Sequence, residues 1–275
     1  DSGNTVKLEG AKYKIWDTQN NEWVKMMKTP SGEIIDEFET NEEGYFYTPQ
    51  QLYPGTYVIY ETQAPEGYYL EDNLRVPEDE KDLGNTQVSG KKVVVNKVAT
   101  GIKDNTVYPE GGVKTGELVI EVEMVDTPLK VDLEINKKGE RLTGTTITQV
   151  EYPTSETEKQ KEEKYTANYT MEGLEGVGYR IYAVADTYTP DGIKRYDKDQ
   201  MVADITTNNE GTAIARDLYP GEYRIEEYKT PKGYLKDENI PNVVLENKNQ
   251  YVKNATVNKE LTDVRQKLQL TFAKT

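Results

Sequence analysis

Apolar residues along this chain fall mostly at alternate positions, in short runs broken by turn-forming clusters. Gly10–Asp17 (GAKYKIWD) sets Tyr13 and Ile15 on one face. Glu117–Asp126 (ELVIEVEMVD) aligns Leu118, Ile120, Val122 and Met124, and Asp126 continues that face. Val131–Lys137 (VDLEINK) aligns Val131, Leu133 and Ile135, followed by Lys137. A period of two belongs to a β-strand with one buried face. Further strands are expected around Ile34–Phe38 and Lys91–Val98, with a hairpin near Tyr108–Thr115. Pro30-Ser31-Gly32 and Thr40–Gly44 (TNEEG) supply turns between strands. No long stretch follows the helical period. The charged segment Pro153–Lys164 (PTSETEKQKEEK) is expected to be a solvated loop or a short helix. Many short strands separated by Gly, Pro, Asn and Asp predict an all-β chain of β-sandwich domains.

The pattern occurs twice. GAKYKIWD returns as GVGYRIYA at Gly176–Ala183, and TNEEG returns as TNNEG at Thr207–Gly211. LYPG at Leu52–Gly55 returns at Leu218–Gly221, and YVIYETQAPEGY (Tyr57–Tyr68) returns as YRIEEYKTPKGY (Tyr223–Tyr234). The offset holds at 166–167 residues, so one domain type is used twice. The length of 275 residues agrees, at about 100–200 residues per domain. The expected boundaries are 1–128 and 129–265, with a last strand at 266–275 that belongs to the first domain of a following unit. In each long motif a glutamate follows two apolar residues at strand spacing. Tyr57 and Ile59 precede Glu61, and Tyr223 and Ile225 precede Glu227. Both carboxylates should therefore point into a core.

Composition narrows the functions available. There are 21 Tyr against 3 Phe and 2 Trp, which suits thin sheets whose core residues reach the surface with a polar tip. The net charge of −15 argues against binding nucleic-acid backbones or anionic membrane surfaces. With no cysteine, disulfides, thiol nucleophiles and cysteine zinc sites are excluded. With no histidine, the usual general base and the commonest metal ligand are missing. No apolar run approaches the length of a transmembrane helix, and nothing at Asp1 looks like a signal peptide. The chain is expected to be a piece of something longer. No metal and no cofactor are expected. The acidic turn Asp191–Asp199 has the ligand type for Ca²⁺, but ordinary surface charge explains it as well.

GAKYKIWD, TNEEG, LYPGTYVIYE and APEGY, followed by a strand ending in MVDTP, resemble the collagen-adhesin B-type (CnaB) domains of Gram-positive surface adhesins and pilins. The resemblance covers nearly the whole chain as two copies. It implies tandem Ig-like or prealbumin-like β-sandwiches and an extracellular, cell-surface location. It also implies a spontaneous isopeptide bond between a first-strand lysine and a last-strand Asn or Asp, assisted by a buried glutamate. The matching positions in the second domain are Lys137, Asp263 and Glu227. In the first domain they are Asp126 and Glu61, and the lysine has no match there.

The chemistry explains why those groups should be buried. An amine attacks only when unprotonated, and an ionised carboxylate is a poor electrophile. Burial disfavours both charged forms. A neutral glutamic acid can donate to the acceptor carbonyl and shuttle the proton as water leaves. Folding supplies proximity. Such a protein reacts once with itself and is not an enzyme with turnover.

The missing lysine has a candidate at the other end. Leu268–Lys274 (LQLTFAK) sets Leu268, Leu270 and Phe272 on one face, then Lys274, repeating the pattern of VDLEINK. Asp126 precedes Lys137 by eleven residues, and Asp263 precedes Lys274 by eleven. Lys274 is therefore expected to pair with the Asp126 position of a following unit, along the same polypeptide or in a neighbouring copy.

Other readings stay open at this point. Each lysine could be a solvated strand end, and Asp126 and Asp263 could start turns. Asn96 and Asn258 are rival acceptors, although Asn258 lies on the face opposite Asp263. Val107-Tyr108-Pro109 has the form of a tripeptide that precedes a sortase-reactive lysine in pilins, but Glu110 follows it. The leading functional class is a structural stalk or fibre module. The alternative is a ligand-binding adhesin for a host protein or glycan, using residues 71–117 or an insert near 144–173. A hydrolase would need clustered acids or a nucleophile–base pair, and neither pattern is visible.

Overall fold

The computed structural model describes residues 6–95, 120, 122–153, 159–267 and 271. Apart from a 3-10 turn at Glu80–Asp82, the described regular structure is all strand. The chain divides into two compact units. Unit 1 takes Asp1–Leu129 with Thr189–Ile193 and Asn247–Lys253, and unit 2 takes the rest.

Unit 1 contains β1 (Lys12–Asp17), β2 (Glu22–Trp23), β3 (Met26–Met27), β4 (Ile34–Ile35), β5 (Phe38–Glu39), β6 (Gly55–Gln63), β7 (Tyr68–Tyr69), β8 (Lys91–Val95) and β9 (Thr127–Pro128). Unit 2 contains β10 (Lys130–Pro153), β11 (Lys159–Gly173), β12 (Gly178–Ala183), β13 (Thr187–Tyr188) and β14 (Lys194–Tyr196). It continues with β15 (Met201–Thr206), β16 (Thr212–Leu218), β17 (Gly221–Lys229), β18 (Val243–Leu245) and β19 (Asn254–Asp263).

Unit 2 is a two-sheet sandwich. One sheet runs β15-β12-β17-β18. In the other, β10 pairs antiparallel with β16 and β11 and parallel with β19. Its core takes Val131, Leu133 and Ile135 from β10, Ala215 and Leu218 from β16, and Leu261 from β19. The facing sheet supplies Tyr179, Ile181, Tyr223, Ile225 and Leu245. The alternation along VDLEINK is carried through: Val131, Leu133, Ile135 and Lys137 are each 0% exposed.

Unit 1 repeats half of this design. Its sheet runs β2-β1-β6-β8, with β5 also on β1. Repeated sequence makes repeated local contacts. Thr40 and Thr207 each donate a hydroxyl to a leucine carbonyl (Leu8, Leu174) and accept from a backbone N–H (Ala11, Val177). In both LYPG-x-Tyr turns the second tyrosine donates back to the first tyrosine's carbonyl, Tyr57 to Tyr53 and Tyr223 to Tyr219. The second sheet is where the copies part. In unit 2, β16 and β19 both bond to β10, whereas their counterparts at 45–52 and 122–126 in unit 1 carry no strand. The unit 1 core is correspondingly divided into two small clusters, Ile15, Met26, Phe38 and Tyr57 in one and Ala64, Tyr68 and Leu70 in the other.

Three expectations change. The strand over Glu117–Asp126 is not formed at its described residues, 120 and 122–126; burial alternates over 122–126, but Ile120 is exposed. A strand needs a ladder, and the described residues of unit 1 offer no neighbour like β10. The strand at Ile34–Phe38 is split into β4 and β5. The charged segment Pro153–Lys164 is neither loop nor helix in its described part. It belongs to a long two-stranded ribbon in which Lys138–Pro153 pairs with Lys159–Gly173. Strand β8 ends at Val95. Residues 96–98 of the expected Lys91–Val98 strand, and with them the rival acceptor Asn96, lie outside the described residues. So do the Tyr108–Thr115 hairpin and Val107–Glu110.

The ribbon is amphipathic. Leu142 faces Tyr169 and Ile147 faces Tyr165 across it, with Met171 two residues beyond Tyr169, and all five are exposed. At its base Arg265 pairs with Glu140 at 2.9 Å and lies 3.5 Å from the Tyr169 ring centroid. An isolated hairpin in water is marginal. Replacing residues 143–168 by a short turn is therefore expected to shift the unfolding of unit 2 by less than about 1 kcal/mol. Thermal denaturation of the two chains checks this.

Candidate functional site

The site lies in the core of unit 2, where the first and last strands run side by side. Parallel pairing sets Gly139 opposite Asp263 and Lys137 opposite Leu261. Lys137 and Asp263 thus leave adjacent strands toward the same interior, one a pleat repeat along from the other. Glu227 enters from β17 of the facing sheet, below Tyr223 and Ile225, which are 0% and 4% exposed. Lys137 Nζ lies 3.0 Å from Glu227 Oε2 and 2.5 Å from Asp263 Oδ1, and all three side chains have no solvent exposure. Unpaired charge is too costly to bury there, so the three groups must satisfy one another.

The contacts differ in kind. Lys137 donates a hydrogen bond to Glu227, and Thr230 donates to the other glutamate oxygen at 2.6 Å. Glu227 is held at both ends. Neither Asp263 oxygen has a well-formed hydrogen bond, so the short approach of Nζ to Asp263 is off the hydrogen-bonding direction. Burial raises the Asp263 carboxyl pKa, and the neighbouring Lys137 opposes that rise. An amine, a nearby carboxyl without a firm hydrogen bond and a second acid anchored beside them are the groups that amide formation needs. Asn258, the rival acceptor, lies on the exposed face of β19.

Two participants escape a reading of the sequence alone. Tyr179 pairs with Glu227 across β12 and β17, is fully buried, and has its ring centroid 6.0 Å from Lys137 Nζ. Its signal is the repeated Gly-x-x-Tyr opening, GAKY at Gly10–Tyr13 and GVGY at Gly176–Tyr179. Thr230 is the Thr of TPKGY, where the first copy has Ala64.

Unit 1 holds the matching acids. Glu61 pairs with Tyr13 across β1 and β6 and is 0% exposed. Neither Glu61 oxygen nor Asp126 Oδ1, all three buried, has a well-formed hydrogen bond, and the Tyr13 hydroxyl lies close enough to Glu61 to lower its pKa in part. Burial, then the nearby Asp126 charge, push the Glu61 pKa from 4.5 to about 8. Burial, then Glu71, push that of Asp126 to about 6. Burial raises the Tyr13 hydroxyl as well, and Glu61 adds to it. Ala64 offers no hydroxyl in the place where Thr230 supports Glu227. Lys274, the sequence candidate for this site, lies outside the described residues.

These raised values have a measurable consequence. An acid with a raised folded-state pKa costs nothing below its unfolded pKa, and the cost grows as pH rises to the folded value. The Glu61 penalty therefore develops between about pH 4.5 and about pH 8. Glu61→Gln is expected to slow hydrogen exchange of the β1 and β6 amides at pH 8 and to leave it nearly unchanged at pH 4.5.

Among the described residues no three or more acidic side chains converge as a metal site. In the Asp191–Asp199 turn, Asp191 accepts from Thr189 and from the Ile193 N–H, and Asp197 pairs with Lys194.

A β-sandwich in unit 2, one sheet of it repeated in unit 1, and a buried acid on the strand after each LYPG turn are the features of a prealbumin-type fold. The family model described as "SpaA: Prealbumin-like fold domain" matches residues 1–101 and 129–260, and the chain belongs to that family. Similar solved structures include the TIE protein of Bacillus anthracis, at 16% identity and TM-score 0.42, covering 96% of this chain and 32% of that one. GBS52, the minor pilin of Streptococcus agalactiae, is 16% identical at TM-score 0.32, covering 98% and 89% of the two chains. BcpA, the major pilin subunit of Bacillus cereus, is 12% identical at TM-score 0.30, covering 96% and 97%. The chain thus spans about a third of the TIE protein. No curated protein matches it.

Proposed function

We propose that this chain is a structural stalk or fibre module of a Gram-positive surface adhesin or pilus, and that unit 2 is locked by an amide between Lys137 and Asp263. The observation that carries this reading is the dry triad, with Nζ 2.5 Å from Asp263 and 3.0 Å from Glu227. In the reaction the neutral amine attacks the Asp263 carboxyl carbon. The C–OH bond breaks, Glu227 relays the proton, and one water leaves. Glu227 is regenerated, so the lysine and the aspartate are the only groups consumed.

The bond joins the first and last strands of unit 2. Tension entering at β10 and leaving at β19 would pass through the amide and bypass the sandwich. Roughly 125 residues between Lys137 and Asp263 would be shielded from extension. Single-molecule pulling checks this. The parent unit 2 is expected to show no unfolding step, while Glu227→Ala gains about 400 Å of contour. A full-length step in the parent would remove the mechanical role.

A second reading, a ligand-binding adhesin for a host protein or glycan, draws on the exposed apolar face of the β10–β11 ribbon (Leu142, Ile147, Tyr165, Tyr169, Met171). Exposed apolar patches of this kind mark contact surfaces. It requires the ribbon-shortened chain to lose binding to immobilised matrix proteins or glycans that the parent retains.

A further inference from the structure

We propose that the β10–β11 ribbon is a contact between two copies of this chain, in which the outer edge of β11 pairs antiparallel with the same edge of the second copy, Asn168 facing Asn168 across a two-fold axis. This goes beyond the reading of unit 2 as a locked module and does not depend on the Lys137–Asp263 bond. It gives the ribbon a partner other than the host ligand of the second reading.

The edge is long and open. Lys138–Pro153 and Lys159–Gly173 pair with each other, and among the described residues β11 pairs with no strand but β10. Every residue from Lys161 to Met171 is exposed. The Asn168 carbonyl accepts from the Thr143 hydroxyl of β10 at 3.3 Å. Successive residues of an antiparallel strand turn their backbone groups to opposite sides, so Ala167 and Tyr169 present their N–H and C=O outward. Such an edge is a template for another strand. A two-stranded ribbon is marginal alone, and pairing widens it to four strands.

A second copy is selected by the sequence of β11, which is complementary to itself read backwards. With Asn168 at the centre, Ala167 faces Tyr169 of the second copy, Tyr165 faces Met171, Thr166 faces Thr170 and Lys164 faces Glu172. The two-fold axis makes each contact twice. Outward-turned Ala167 and Tyr169 meet and exchange both backbone hydrogen bonds. Apolar residues meet on the face that carries Leu142 and Ile147, while Thr meets Thr and Lys meets Glu on the other. The alternatives are worse. A slip of two residues in one direction sets Glu172 against Glu162 and Met171 against Glu163. In the other direction it sets Glu172 against Thr166 and carries Lys164 past the end of the strand. A slip of one residue lays the apolar face of one copy beside the polar face of the other.

The test uses the whole chain, which has no cysteine of its own. Asn168→Cys is expected to give a disulfide-linked dimer under mild oxidation, because facing Cα atoms in an antiparallel pair lie about 4.5–5.5 Å apart, within disulfide reach. Thr148→Cys, on β10 and away from the contact, is expected to stay unlinked. In sedimentation velocity at rising concentration the parent passes from monomer to dimer. Lys164→Glu and Glu172→Lys each place like charges opposite one another and are expected to move that midpoint about tenfold higher. Glu172→Lys also loses Arg141, 3.5 Å away on its own ribbon. Mixing the two variants separates the effects, because every contact between them is again Lys against Glu, and the mixture is expected to return to within about twofold of the parent. A parent that stays monomeric at every concentration overturns the proposal. So does an unlinked Asn168→Cys, a Thr148→Cys that links equally fast, or a mixture no more associated than its parts. A monomeric parent that binds an immobilised host protein or glycan through the ribbon gives this surface to the second reading.

Discussion

Glu227→Ala is expected to retain its full sequence mass in unit 2, with Lys137 and Asp263 unlinked, and to lower the thermal midpoint of that unit by about 15–25 °C. The size follows from the loop. Tying together residues some 125 positions apart removes chain entropy from the unfolded state worth about 5 kcal/mol, by the estimate used for disulfides. Part of the loss has another source, because Glu227 also accepts from Lys137 and Thr230, and its removal leaves both donors in a dry core. Glu227→Gln separates the two effects. It keeps the volume and the contact with Thr230 but has no proton to relay. Differential scanning calorimetry with intact mass on both variants gives the comparison.

Lys137→Ala is expected to be worse. It removes the bond and also leaves Glu227 and Asp263 facing each other with no cation and no solvent access. Breaking a buried pair by deleting one partner costs about 3–5 kcal/mol beyond the lost tie. Together these approach the whole stability of a typical domain, about 5–15 kcal/mol. Unit 2 is expected to be unfolded at pH 7. The pH dependence has a definite sign. The Asp263 pKa is raised by burial, and without Lys137 nothing opposes that rise. An acid of this kind is least costly when protonated, so stability returns as pH falls. Lys137→Met combined with Glu227→Gln and Asp263→Asn removes all three charges and is expected to fold at pH 7 without a cross-link. Circular dichroism across pH 4–8 distinguishes these outcomes.

The strands of unit 2 and the inward direction of Lys137 and Glu227 are legible in the sequence for one reason, whereas Asp263 as their partner comes from the family resemblance. Strand parity is rigid, and three apolar residues at alternate positions fix where the next side chain points. Val131, Leu133 and Ile135 decide the direction of Lys137, and Tyr223 and Ile225 decide that of Glu227. The repeat then identifies which positions correspond. What stays hidden depends on partners distant in sequence. Pro153–Lys164 reads as loop or short helix because its Thr, Glu and Lys residues are those of a solvated segment; the strand pairing of its described part comes from continuing β10 past the sandwich. The apolar face is spread over two strands with a register shift between Leu142 and Gly144, which breaks the simple alternation. Glu117–Asp126 shows the opposite failure. Its alternation is that of a strand, but a strand forms only against a hydrogen-bonded partner, and residues 122–126 pair with none among the described residues. Tyr179 and Thr230 look like ordinary motif residues until β12 and β17 are laid side by side.

The most direct test is the mass of the monomeric chain under denaturing conditions, with mapping of the peptides that contain Lys137 and Asp263. The expected result is one water less than the sequence mass and a branched peptide joining those two residues, both lost in Glu227→Ala. A monomer at full sequence mass, with Lys137 free to react with amine reagents once unfolded, would contradict the cross-link and leave the triad as a buried ion cluster.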